Sequence, residues 1–205
     1  MKEVIVKVYE FKELSDTVKQ KLTQSCIEQI VDEHFEAFAE YLPEYMKETY
    51  GVTDAQFGYS LSYQQGDGLH FNTEQFLTEQ VAKKIEEGLT TREQYIFTKA
   101  RENGMKVRCK SSVHHYEYAN INDVEVLDTA DDADYLAEEN ADISLREATL
   151  LFNKVEKLAR NLYMNICKEL EKSGYSQYNV SEEEVNERLD EVLYFEDGRI
   201  YGEKE

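Results

Sequence analysis

The side chains that could do chemistry in this chain are scattered. Its histidines are His34, His70, His114 and His115. The last two are adjacent, and neighbours on a strand point to opposite faces, so they cannot readily share one metal. No H-x-x-x-H, H-E-x-x-H or Cys/His cluster occurs. Cys26, Cys109 and Cys167 stand far apart without a C-x-x-C, which suits small core residues in a reducing compartment better than a zinc site. A disulfide between two of them has nothing in the spacing to support it. There is no G-x-S-x-G to present a serine, and Gly66-x-Gly68 lacks the further glycine, lysine and helix start of a phosphate loop. The run from Asp128 to Glu139 has the length of a calcium loop, yet Ala130 and Ala133 stand where a carboxylate and the turn glycine belong. Lys106, Arg108 and Lys110 form one basic row in an acidic neighbourhood, which reads as a salt-bridging or solvated face. These patterns predict no catalytic residue, no metal site, no cofactor and no enzymatic activity. A metal-dependent hydrolase built from dispersed His and acidic residues is the weakest alternative.

What the chain has in abundance is carboxylate. Over 205 residues, 43 Asp and Glu face 23 Lys and Arg, a formal net charge of −20. Small soluble domains usually carry a net charge of about 2–8 in magnitude. A main activity on bare nucleic acid or an anionic membrane is disfavoured, because both would repel such a protein. The charge is concentrated in three tracts. Glu28, Asp32, Glu36, Glu40, Glu44 and Glu48 recur every four residues. On one helix each step rises about 6 Å and turns about 40°, giving a slowly coiling acidic row. Asp131, Asp132, Asp134, Glu138, Glu139 and Asp142 form a second tract without Lys or Arg. Glu182, Glu183, Glu184, Glu187, Asp190 and Glu191 form a third, relieved only by Arg188. Any one tract reads as the wet face of an amphipathic helix or loop. Three together cost stability through self-repulsion, and a partner with a basic groove is a reason to keep them.

The elements that would position these tracts follow from local pattern. Residues 3–11 alternate Val4, Val6 and Val8 with Ile5, Lys7 and Tyr9 and predict a strand, not a signal peptide. An N-cap at 14–16 opens a helix carrying Cys26, Ile27, Ile30, Val31, Phe35, Phe38, Tyr41 and Leu42 at helical spacing. Pro43 is expected to kink it or open a second short helix ending at Gly51. In FGYSLSYQQGDGLHF, apolar alternation and Gly66-Asp67-Gly68 predict a hairpin. Helix starts are expected at Asn72 with Gln75, at Thr90 with Glu93, at Ser144 with Glu147 and at Ser181 with Glu184. The third opens the longest helix, running to Gly174. Residues 105–118 and 123–127 look extended, and YFEDGRIYG reads as a closing hairpin. The sum is one α+β domain over 1–205: an antiparallel or mixed sheet with hairpins, packed by several helices, with 128–142 an acidic loop. No apolar run is long enough to span a bilayer.

The opening strand with FKELSDTVKQKL, the SLSYQQGDG hairpin and the EDGRIY ending resemble a group of small proteins encoded by phages and prophages. That resemblance implies no assigned activity, and the acidic 128–142 stretch is not part of its pattern. By class and charge, the chain is similar to acidic antirestriction and anti-CRISPR proteins, several of which mimic nucleic acid. The expectation is a phage-encoded inhibitor of a host nucleic-acid-targeting defence complex, acting in the bacterial cytoplasm by acidic-surface mimicry or steric block. Its partner would be a host protein or ribonucleoprotein with a basic groove, without direct nucleic-acid or membrane binding. The candidate partner-binding residues are Glu36, Glu40, Glu44, Asp131, Asp132, Asp134, Glu138, Glu139, Glu183, Glu184 and Glu187. The alternative is a non-enzymatic phage interaction or regulatory protein whose acidity serves only solubility, with the 144–173 helix as a dimer or partner surface.

Overall fold

A computed structural model describes residues 6–111, 118–127 and 129–203, with the side chains of 129–132 and 203 outside that description. Among the described residues the helices are α1 (Asp16–Tyr50), α2 (Glu79–Glu86), α3 (Thr91–Glu102), α4 (Thr129–Glu139), α5 (Leu145–Tyr175) and α6 (Glu182–Asp190). The strands are β1 (Gln56–Ser60), β2 (Gly68–Asn72), β3 (Lys106–Cys109), β4 (Val124–Leu127), β5 (Val192–Tyr194) and β6 (Ile200–Glu203). They pair antiparallel as β1–β2, β3–β4 and β5–β6, three separate two-stranded sheets in place of one larger sheet. The class is α+β, as the sequence predicts. No helix among the described residues is long and apolar enough to cross a membrane.

The chain divides into two compact units, Met1–Phe38 with Ser176–Glu205, and Ala39–Tyr175, and the boundary falls within α1. In the first unit, Leu14 just before α1 joins Cys26, Ile30, Val185, Leu189 and Tyr194 of α1, α6 and β5 in a small core, edged by Tyr9, Phe11, Leu22 and Val192. The Tyr194 hydroxyl donates to the Leu189 carbonyl at 3.0 Å, which satisfies it inside that core. Ser181 accepts from the Glu184 amide and caps α6 as expected. The Asp-Gly turn closes the β5–β6 hairpin, with Gly198 at φ +88°.

In the second unit, α5 packs on the β1–β2 and β3–β4 pairs. Its buried positions run Ala148, Leu151, Phe152, Val155, Ala159, Tyr163, Ile166, Cys167 and Leu170, the 3.6-residue stripe the sequence shows. Tyr163 meets Phe71 of β2 at a ring distance of 4.8 Å and Phe76 edge-on at 6.4 Å. Its hydroxyl is buried, close to Cys167 and the Phe71 backbone. Gly68 opens β2 where a Cβ would lie 2.5 Å from the Tyr118 Cα, so only glycine fits this approach.

Several expectations need correction. Of the strand predicted over 3–11, the described part pairs only at Tyr9, which bridges Tyr194; the chain then turns into a 3-10 helix at Phe11–Glu13, where Glu13 accepts from the Glu10 amide. Residues 1–5 lie outside the described residues. Helix α1 continues through Pro43 instead of restarting there, carried by Leu42 and Met46, which are both buried. It stops at Gly51, whose φ of +68° and bond to the Lys47 carbonyl at 3.0 Å make a left-handed cap. At 35 residues it exceeds α5, with 31. The helix expected at Asn72 begins at the Thr78 cap. The cause is tertiary: Asn72 accepts from the Ser111 amide, Thr73 exchanges two backbone bonds with Cys109, and Phe76 donates to Val107. The acidic stretch expected as a loop at 128–142 is mostly α4. Ala133 and Leu136, three residues apart, bury against α5, and Asn140 caps the Leu136 carbonyl.

Candidate functional site

Helix α1 places its acids as their spacing requires. Glu28, Asp32, Glu36, Glu40, Glu44 and Glu48 are all exposed, while Cys26, Ile30, Phe38, Leu42, Met46 and Tyr50 are buried. The two rows are offset by two residues, about 200° around the helix, so burying one exposes the other.

Within the first unit, the acidic turn of α6 is brought to α1 by two side-chain clasps. The Arg188 guanidinium donates to both oxygens of Glu33, each at 2.7 Å, in a bidentate pair. Gln29 adds a bond to Glu33 at 3.0 Å. The Arg188 bonds hold the Glu33 carboxyl below the usual carboxylate range. His34, one residue on, lies between the Gln177 carbonyl and the Glu184 carboxylate, at 3.1 Å from each. Around these clasps Asp32, Glu36, Glu182, Glu183 and Glu187 are exposed. None of the five has a Lys, Arg or His within ion-pair reach among the described residues. The result is a junction with one internal cation, Arg188, and a surplus of bare carboxylates.

The predicted partner-binding residues are therefore divided. Glu36, Glu183, Glu184 and Glu187 belong to the first unit, at or beside the junction, and Glu184 is occupied by His34. Glu40, Glu44, Asp131, Asp132, Asp134, Glu138 and Glu139 belong to the second. There Asp134, Glu138 and Glu139 are exposed on α4, Asp131 and Asp132 lie within its helical span, and Glu44 pairs with Lys47 at 3.2 Å. Glu33 and Arg188 escape a search for regular acidic spacing, because Glu33 sits off the four-residue row. Arg188 as the lone cation of the third tract was the available signal.

Among the described residues, the other chemistry-bearing groups are absorbed into the fold. His70 is buried in β2, and His114 and His115 lie outside the described residues. All three cysteines are free and buried, and burial pushes each thiol upward, Cys167 to about 12. A nucleophilic cysteine requires the opposite shift. Arg108 pairs with Glu125 across β3–β4. No group of three or more His, Cys, Asp or Glu among the described residues is arranged to hold a metal ion. Comparison with protein-family models, curated proteins and solved structures finds no match to this chain.

Proposed function

We propose that this protein is a non-catalytic, phage-type inhibitor that seats its acidic surface in the basic groove of a host nucleic-acid-targeting defence complex. The observation that carries this reading is the α1–α6 junction. Two acidic tracts about 150 residues apart in sequence are clasped together by Glu33–Arg188 and His34–Glu184. Asp32, Glu36, Glu182, Glu183 and Glu187 are left exposed around them. Carboxylates held on two tethered helices are preorganised, so binding costs less ordering than a flexible acidic tail would. A groove built for phosphates would be drawn to them over long range and would lose them as salt is added. The acidic α4 face of the second unit is a further tract for such a partner.

The test is inhibition of nucleic-acid cleavage by a panel of bacterial restriction and CRISPR effectors, with the triple reversal E36K/E183K/E187K as the variant. Binding and inhibition should weaken steeply with ionic strength, and the reversal should weaken them at least about tenfold at low salt. Inhibition that survives both treatments unchanged would leave acidity serving solubility alone.

A further inference from the structure

In the second unit, α1 presents a face that is not merely acidic. Tyr41, Glu44, Tyr45 and Glu48 stand three and four residues apart, so their side chains are neighbours on one side of the helix. Tyr41 is 48% exposed. Its ring lies 5.5 Å from that of Tyr45, which lies 6.0 Å edge-on from Tyr50. The three rings step from solvent into the core, Tyr50 being only 5% exposed. At the inner end the protein supplies its own cation: the Lys84 ammonium of α2 stands 5.6 Å from the Tyr50 ring centre. At the outer end Glu44 and Glu48 are exposed beside the rings. Glu44 has one exposed partner in Lys47, and Glu48 has no cation in reach among the described residues.

Here tyrosine rings alternate with carboxylates. A guanidinium suits this combination better than an ammonium does, because it is planar and weakly hydrated. It can stack on a ring while its edge N–H groups donate to a carboxylate. Lysine, a compact and strongly hydrated charge, gains from the carboxylates but less from the rings. We propose that Tyr41, Glu44, Tyr45 and Glu48 form a docking face for an arginine-bearing segment of a protein partner. Charge complementarity selects a basic segment, and the rings select arginine within it. This face shares no residue with the α1–α6 junction, so either can fail alone.

Labelled octa-arginine and octa-lysine peptides titrated against the full chain test this by fluorescence anisotropy. Arginine should bind more tightly, and the informative quantity is how that preference responds to the rings. Tyr41→Ala should cut the arginine-to-lysine affinity ratio about threefold. Tyr41→Phe, which keeps the ring, should preserve it. Tyr41 is half-exposed, and circular dichroism of both variants checks that they fold. The junction reversal E183K/E187K should weaken both peptides alike and leave the ratio intact. An unchanged ratio in Tyr41→Ala overturns the proposal. So does a dimer that Tyr41→Ala converts to monomer without any change in peptide preference, since a second copy would then be the occupant.

Discussion

Two helix junctions, one in each unit, use the same chemistry to different ends. In the second unit Arg92 of α3 reaches Asp142 at 3.1 Å and Glu147 of α5 at 3.2 Å, while Lys154 donates to Glu93 at 2.6 Å. Every acid there has a cation or a cap: Glu93 also closes the Thr90 capping box, and Glu147 accepts from Ser144. In the first unit Arg188 and His34 hold α6 to α1, yet Asp32, Glu36, Glu182, Glu183 and Glu187 stand around them without counter-charge among the described residues. Where carboxylates are matched to cations they fasten helices together. Where they outnumber the cations they push against the fold and are available to something outside it. Net charge alone does not separate these roles; pairing does.

The comparison can be broken most forcefully from beneath the first junction. Ile30 of α1 is fully buried in the small core with Val185 and Leu189 of α6. Ile30→Ala should cost about 2–5 kcal/mol by urea denaturation. A cost under about 1 kcal/mol would mean that the small core does not hold this junction. A subtler test removes each arginine in turn. Arg188→Ala and Arg92→Ala should both lower Tm, but added salt should restore the former more, because screening relieves the crowded carboxylates left behind. Equal salt responses would erase the distinction between the junctions.

Proton linkage gives the smallest signal and belongs to the matched junction. The Lys154 ammonium and the Thr90 amide hold Glu93 down at about 2, and the Ser144 cap with Arg92 does the same for Glu147. A carboxyl depressed in the folded state contributes stability that is complete above its ordinary value of 4.5 and is lost as pH falls toward 2. Acid denaturation followed by circular dichroism should therefore begin below about pH 4.5. Glu93→Gln should be less stable at neutral pH and should flatten that part of the profile. A profile identical to wild type would show that the pair contributes nothing.

Much of this was legible in the chain. The Thr90–Glu93, Ser144–Glu147 and Ser181–Glu184 starts cap α3, α5 and α6, and the Gly66 and Gly198 turns close their hairpins. Asn72 with Gln75 carries the same cap signature, but the backbone of 73–76 is claimed by β3, a partner more than thirty residues away. The acidic run before Asn140 looked like a solvated loop because two small apolar contacts, Ala133 and Leu136, are faint beside so many charges.

By itself, then, the sequence determined what depends on neighbours within a turn or two: caps, hairpin turns, the apolar stripe of α5 and the exposed acidic row that recurs every four residues of α1. These rest on hydrogen bonds and periodicities that close over three to seven residues. Tertiary structure decided which carboxylates are neutralised. Arg188 is 155 positions from Glu33, and Arg92 is 50 from Asp142. An ion pair needs its charges within about 4 Å, a distance that only the packed chain sets.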